Sequence, residues 1–190
     1  MVFKGTKKYP TAFSLASTID SIWSGFNAFT SKENTCFYVK SAVGKLSLAL
    51  DILSQMVFKP LLKEKEINKE KGVILEEINM REDMPMAKVS EDFESLVYSK
   101  TSLGRDVIGF RKTVKAMRRT DFIAYRQKWY KPSKIVLTVD GGIAKNQKLK
   151  TKNLIEKYFS QHYLNQDTAV IDSKQKPFIF NQEKPALSLF

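Results

Sequence analysis

An α+β fold, with a mixed or antiparallel sheet packed against helices, is the class this chain predicts, and three observations carry that prediction. Two β-rich runs, "GFNAFT" and "TCFYVKSAV", are joined by the polar "SKEN", which is a hairpin signal. Most of the remaining chain reads as amphipathic or charged helix. Finally, there is no internal repeat, low-complexity tract or Gly-rich phosphate loop, so repeat architectures and a nucleotide-cradling loop are set aside.

Taken in order, Pro10 followed by "TAFSLASTIDSIW" predicts a helix with Pro in its first turn. Phe13, Ala16, Ile19 and Trp23 recur along it at helical spacing. Strands at 26–31 and 35–42 should form the hairpin. "KLSLALDILSQMVF" predicts a second amphipathic helix, stopped by Pro60. A long charged helix should run from Glu64 to Glu82 and end before Pro85. "AKVSEDFESLVYS" predicts a further helix, and "TSLGRDVIGF" a loop. Thr120 should cap "DFIAYRQKWY", with Asp121 favourably placed in the first turn. "KIVLTVD" reads as a buried strand ending at Gly141 and Gly142, and "LKTKNLIEKYF" as a closing helix.

These elements make one domain over residues 1–164. Residues 165–184 are polar without sustained period and read as a linker. The terminal "PALSLF", 185–190, reads as the first strand of a second domain.

At 190 residues the chain can bury one substantial core. Its 43% hydrophobic and 12% aromatic content is that of a folded protein rather than a disordered one. No run approaches the roughly eighteen consecutive apolar residues of a membrane span, and no signal-peptide pattern opens the chain. A soluble, cytoplasmic setting is favoured, although targeting information could precede Met1.

Cys36, the single cysteine, excludes an internal disulfide and reads as a packed small side chain. The single histidine, His162, reads as a surface residue at a helix end rather than a ligand. The net charge of +12 would permit binding to nucleic acid or anionic lipid. Its lysines are scattered over helix faces and loops, however, so solvated faces are the better reading, and neither partner is expected.

The segment "EINKEKGVILEEINMRE", residues 66–82, carries the most chemical information. At about 100° per residue with Ile67 at zero, Ile74 and Ile78 fall within about 20° of it and define an apolar stripe. Glu70 and Glu77 lie at about −60° and −80°, with Val73 and Met80 beyond them at about −120° and −140°. Two carboxylates are thus flanked on both sides by apolar residues, while Glu76, at about 180°, takes the opposite face. A buried carboxylate must be paired, protonated or bound to a cation. Arg81, at i+4 from Glu77, would make an ion pair. A metal or acid–base site is the alternative, and spacing does not decide between them.

Read together, "MVFKGTKKYPTA", "FNAFTSKENTCFYVK", "ALDILSQMVFKPL", "INKEKGVILEEI" and "SLGRDVIGF" resemble the insulinase and mitochondrial-processing-peptidase family of pitrilysin-type zinc metallopeptidases. The resemblance covers nearly the whole chain, in the right order. In that family an inverted zinc motif, H-x-x-E-H, comes immediately before the equivalent of "MVFKGT".

The resemblance implies that Glu77 matches the third zinc ligand and Glu70 the carboxylate that supports it. The motif histidines would complete the site, and the motif glutamate would act as general base on a zinc-polarised water. It also implies that peptide or unfolded protein substrate adds as a strand beside the metal, at an edge matched here by Asn27, Ala28, Phe29 and Thr30. A second family domain or subunit is an expected partner.

The motif itself is absent from these 190 residues, and "VDGGI", 139–143, replaces the family's more usual "AGN". The chain therefore reads as a zinc endopeptidase domain incomplete at its N-terminus, inactive and without stoichiometric zinc in this form. Within the same family, a non-catalytic peptide-binding or partner subunit is the alternative.

Overall fold

The computed structural model describes residues 1–21 and 25–160. Trp23, His162, the linker at 165–184 and the terminal strand at 185–190 lie outside the described residues. Helix α1 (Ala12–Asp20) leads into β1 (Gly25–Thr30) and β2 (Thr35–Lys40). There follow α2 (Leu46–Phe58), α3 (Glu64–Glu82), α4 (Pro85–Val97), α5 (Arg111–Ala116), α6 (Arg119–Trp129) and α7 (Lys148–Phe159). Among the described residues the sheet is the antiparallel β1–β2 hairpin, in register from Gly25 opposite Lys40 to Thr30 opposite Thr35. The α+β class holds, with helices dominating.

Helix α1 begins at Thr11, whose hydroxyl accepts the Ser14 N–H while Ser14 returns the bond to the Thr11 N–H. Pro10 therefore precedes the cap instead of entering the first turn. The inward face also differs from the expected stripe. Leu15 and Ile19 are fully buried, while Phe13 is 81% exposed. Both sets fit a helical period, and packing against α2 selects Leu15 and Ile19. These two join Tyr9, Ile52 and Met56 in the main core, with Phe3, Phe26 and Phe37 packed around it.

The first ten residues are pinned to this core. Gly5 has φ +130°, and a Cβ there would come within 2.7 Å of the Pro10 carbonyl oxygen, so glycine is required. Thr6 bridges Pro60, with the Lys7 N–H donating to the Lys59 carbonyl and the Leu61 N–H to that of Gly5. The Tyr9 hydroxyl donates to Asp51 Oδ2 at 2.7 Å, and Lys8 Nζ reaches the same oxygen at 2.5 Å. Asp51 is buried, so these partners satisfy a charge that would otherwise be costly.

Burial, with Asp51's hydrogen bond and charge in support, pushes the Tyr9 phenol above its ordinary range. A group whose folded pKa is raised gives stability that is fully present below its unfolded pKa and lost as pH climbs through the folded one. Melting temperature should therefore fall as pH rises beyond about 10, where unfolded tyrosine ionises. In thermal scans across that range, Tyr9→Phe should melt lower at neutral pH and decline less steeply at alkaline pH.

Helix α3 has the predicted bounds. Glu64 and Glu66 lie in its first turn and Arg81 in its last, both favourable to the helix dipole. Asp83 and Met84 end it, and Pro85 opens α4 at a position where its missing N–H costs nothing. Helix α6 starts from Arg118, whose N–H donates to the Asp121 carboxylate at 2.6 Å. Asp121 thus acts as expected, but Thr120 lies inside the helix rather than capping it. The six-residue α5 was not foreseen, being too short to show a period.

The expected strand "KIVLTVD" also differs. Residues 135–140 alternate half-buried and exposed, as a strand would, yet pair with no strand among the described residues.

Candidate functional site

Helix α3 carries both carboxylates singled out by the sequence. Its Ile67 and Ile78 are buried and Ile74 half-buried, so the predicted stripe faces inward. Glu70 is half-buried and held by Lys4 Nζ at 3.0 Å. Lys4 belongs to a short 3-10 turn at Val2–Lys4. The neighbouring Phe3 ring lies 5.0 Å from that of Phe26 on β1 and 6.3 Å from that of Phe37 on β2. The opening turn therefore ties the Glu70 turn of α3 to the hairpin.

Glu77 is exposed, and among the described residues its carboxylate takes no hydrogen bond or ion pair. Nothing among the described residues covers this face of α3. Val73 and Met80, which lie beyond it on the wheel, are 59% and 67% exposed. The expected Arg81 partnership is corrected. Arg81 reaches across to Glu91 of α4 at 2.7 Å and lies 3.9 Å from Asp106. Tertiary packing thus draws away the one cation that helical spacing had offered Glu77. Glu76, also exposed, accepts a hydrogen bond from Asn79.

Other contacts fix α3 as the platform. Arg111 at the start of α5 binds Asn79 and Glu82, and Lys71 Nζ donates to the Lys115 carbonyl. Helix α4 buries none of its residues, leaving Met86, Val89, Phe93 and Leu96 exposed beside the Glu77 helix.

Among the described residues, the candidate docking strand is open on one side. Ser31 donates its N–H to the Asn34 carbonyl inside the hairpin loop. Antiparallel alternation then turns the backbone of Phe26, Ala28 and Thr30 toward the edge away from β2. The Ala28 N–H on that edge is already held by Asn27 Oδ1 at 2.8 Å. Asn27, Phe29 and Thr30 are exposed and Ala28 half-buried. Sequence reasoning missed Lys4 and Asn27 as local partners of the carboxylate and the edge. A lysine in a short turn and an asparagine bonding its neighbour leave no periodic signal.

Among the described residues, no group of three or more His, Cys, Asp or Glu side chains is placed to hold a metal ion. Zinc needs about four donors, and Glu77 offers one free carboxylate. The residues present therefore do not amount to a zinc site. Nor is any described helix long and apolar enough to cross a membrane.

Among the described residues the chain is thus an α+β unit in which one helix presents an unpaired carboxylate and a hairpin has an open edge. Residues 1–110 match the insulinase family, peptidase family M16, and the chain belongs to that family. It is 37% identical over 144 residues to the zinc protease YmxG of Bacillus subtilis, covering 76% of this chain and 35% of that protein. Against the mitochondrial-processing peptidase subunit beta of Mus musculus it is 35% identical over 149 residues, covering 78% and 30%. A solved protease from Helicobacter pylori superposes with a TM-score of 0.77 at 21% identity, covering 94% of this chain and 41% of that one. The first half of the periplasmic protease PqqL from Escherichia coli gives 0.72 at 25%, covering 85% and 35%. The chain spans about a third of the length of the curated relatives it matches.

Proposed function

We propose that this chain supplies one zinc ligand and the peptide-docking edge of a metalloendopeptidase. Glu77 is the ligand and Glu70 the carboxylate supporting it, with Lys4 holding Glu70 in place. Asn27, Ala28, Phe29 and Thr30 receive a peptide or unfolded protein as an added strand, whose backbone would displace Asn27 Oδ1 from the Ala28 N–H. The observation that carries this reading is the state of Glu77: exposed, unpaired among the described residues, and set beside exposed Val73 and Met80. A carboxylate on such a face is available to a cation as soon as further donors are brought to it.

The chain has one histidine, so it cannot itself supply two imidazole ligands. An H-x-x-E-H helix placed against the Glu77 face would bring them, together with a general base. Residues 1–164 would then be the N-terminal peptidase domain, 165–184 a linker and 185–190 the first strand of a second domain. As given, the chain is expected to be inactive. Joined to an H-x-x-E-H segment ahead of Met1, it should hydrolyse an unstructured peptide, and a chelator should stop the reaction. A folded fusion without chelator-sensitive hydrolysis would contradict the proposal.

The likeness to a mitochondrial-processing peptidase subunit supports a second reading, a non-catalytic peptide-binding or partner subunit. The in-frame coding sequence before Met1 separates the two. An adjoining H-x-x-E-H supports the peptidase, and an altered motif or a stop codon supports the subunit.

A further inference from the structure

We propose that Lys32, at the tip of the β1–β2 hairpin, is a positioning residue that sets the peptide-docking edge in register with the Glu77 helix. The inference rests on the reading of β1 as that edge and of Glu77 as the zinc ligand. The hairpin closes tightly around Lys32. The Ser31 N–H donates to the Asn34 carbonyl at 2.8 Å, and the Asn34 N–H donates back to Ser31 Oγ at 3.2 Å. From this closed turn the Lys32 ammonium makes two contacts. It lies 3.1 Å from Glu94 Oε2 on α4 and donates to the Arg105 carbonyl at 2.9 Å. One side chain thus ties the tip to two elements distant in sequence.

The Glu77 helix grips the same two elements. Arg81, one turn beyond Glu77, pairs with Glu91 of α4 at 2.7 Å and lies 3.9 Å from Asp106. Glu91 and Glu94 are three residues apart on α4 and share a face, while Arg105 and Asp106 are chain neighbours. Two cations therefore close on one frame, Arg81 from α3 and Lys32 from the hairpin. The frame itself is tight. The Thr101 N–H donates to the Tyr98 carbonyl at 2.9 Å, and a Cβ at Gly104 would collide with that same carbonyl. The turn at Ser102–Gly104 is so held against the end of α4. Exposed ion pairs contribute little to stability, so what Lys32 supplies is placement. Successive residues of an added strand are only about 3.3 Å apart. A hairpin that tilts by part of that distance offers the metal a misplaced peptide bond, which is costly in rate.

Spin-label distances in the 190-residue chain test the pin, with labels at Thr35→Cys and Glu76→Cys in a Cys36→Ser background. Lys32→Met keeps the stem and removes the ammonium. It should shift or broaden the hairpin-to-helix distance by about 1 Å or more, and Lys32→Arg should restore it. Melting should move by no more than about 4 °C, which separates lost placement from lost folding. In the chain joined to an H-x-x-E-H segment, Lys32→Met should lower kcat about 2–30-fold with KM nearly unchanged. Its cleavage of an unstructured peptide should also spread to neighbouring bonds. Unchanged label distances in Lys32→Met, or a change that Lys32→Arg does not restore, would overturn the proposal. So would a displaced hairpin that still supports hydrolysis at the wild-type rate and bond. A parent fusion that cleaves no peptide counts against the docking reading instead, and the label distances then decide whether Lys32 fixes the hairpin.

Discussion

Glu77→Gln, made in this chain joined to an H-x-x-E-H segment, is expected to abolish peptidase activity, and Glu76→Gln to leave it nearly unchanged. The amide keeps the shape of the side chain but removes the charge that makes a carboxylate a competitive zinc donor. Outer partners of a zinc ligand alone cost about 10–100-fold when removed, so loss of a ligand should exceed that range. Glu70→Gln should fall inside it, because Glu70 acts on the ligand set from behind and is itself held by Lys4. Steady-state hydrolysis of an unstructured peptide by the four proteins checks the order. Similar losses at Glu76 and Glu77 would remove the basis for the assignment.

The second large effect concerns stability. Leu15→Ala should destabilise the fold by about 2–5 kcal/mol, the range for truncating a fully buried leucine. At roughly 2–4 °C per kcal/mol for a chain of this size, melting should fall by about 4–20 °C. Phe13→Ala, two residues away, should change stability by less than about 0.5 kcal/mol, because its ring is 81% exposed. Thermal denaturation of the two variants distinguishes the observed inward face from the one that spacing suggests. A larger loss at Phe13 would mean that α1 is rotated from its position here.

The contrast between these residues shows what was legible. The bounds of α3 were readable because charge, period and Pro85 all mark them locally. The hairpin was readable to within a residue or two from its β-rich runs and polar link. The buried face of α1 was not, since Phe13 and Ala16 continue the period to Ile19 as well as Leu15 does. Only the contact with Ile52 and Met56 on α2 separates them.

For the site, the wheel placed Glu70 and Glu77 together on α3, and both lie there. It also set Glu76 on a solvated face, but exposure does not separate the adjacent glutamates, since both are accessible. Arg81 was reachable from Glu77 by helical spacing. Glu91 and Asp106, which claim it instead, come from elements whose placement no local pattern reveals. Residues 135–140 show the converse, a strand-like period without a ladder among the described residues. Alternation depends on residues within the segment, while a ladder depends on a partner.

Calorimetric zinc titration of the fusion that carries H-x-x-E-H, as parent, Glu77→Gln and Glu76→Gln, tests the central claim most directly. The parent should bind one zinc per chain, Glu77→Gln should bind it far more weakly, and Glu76→Gln should match the parent. Equal losses at the two positions, or a larger loss at Glu76, would contradict the assignment of Glu77 as the ligand.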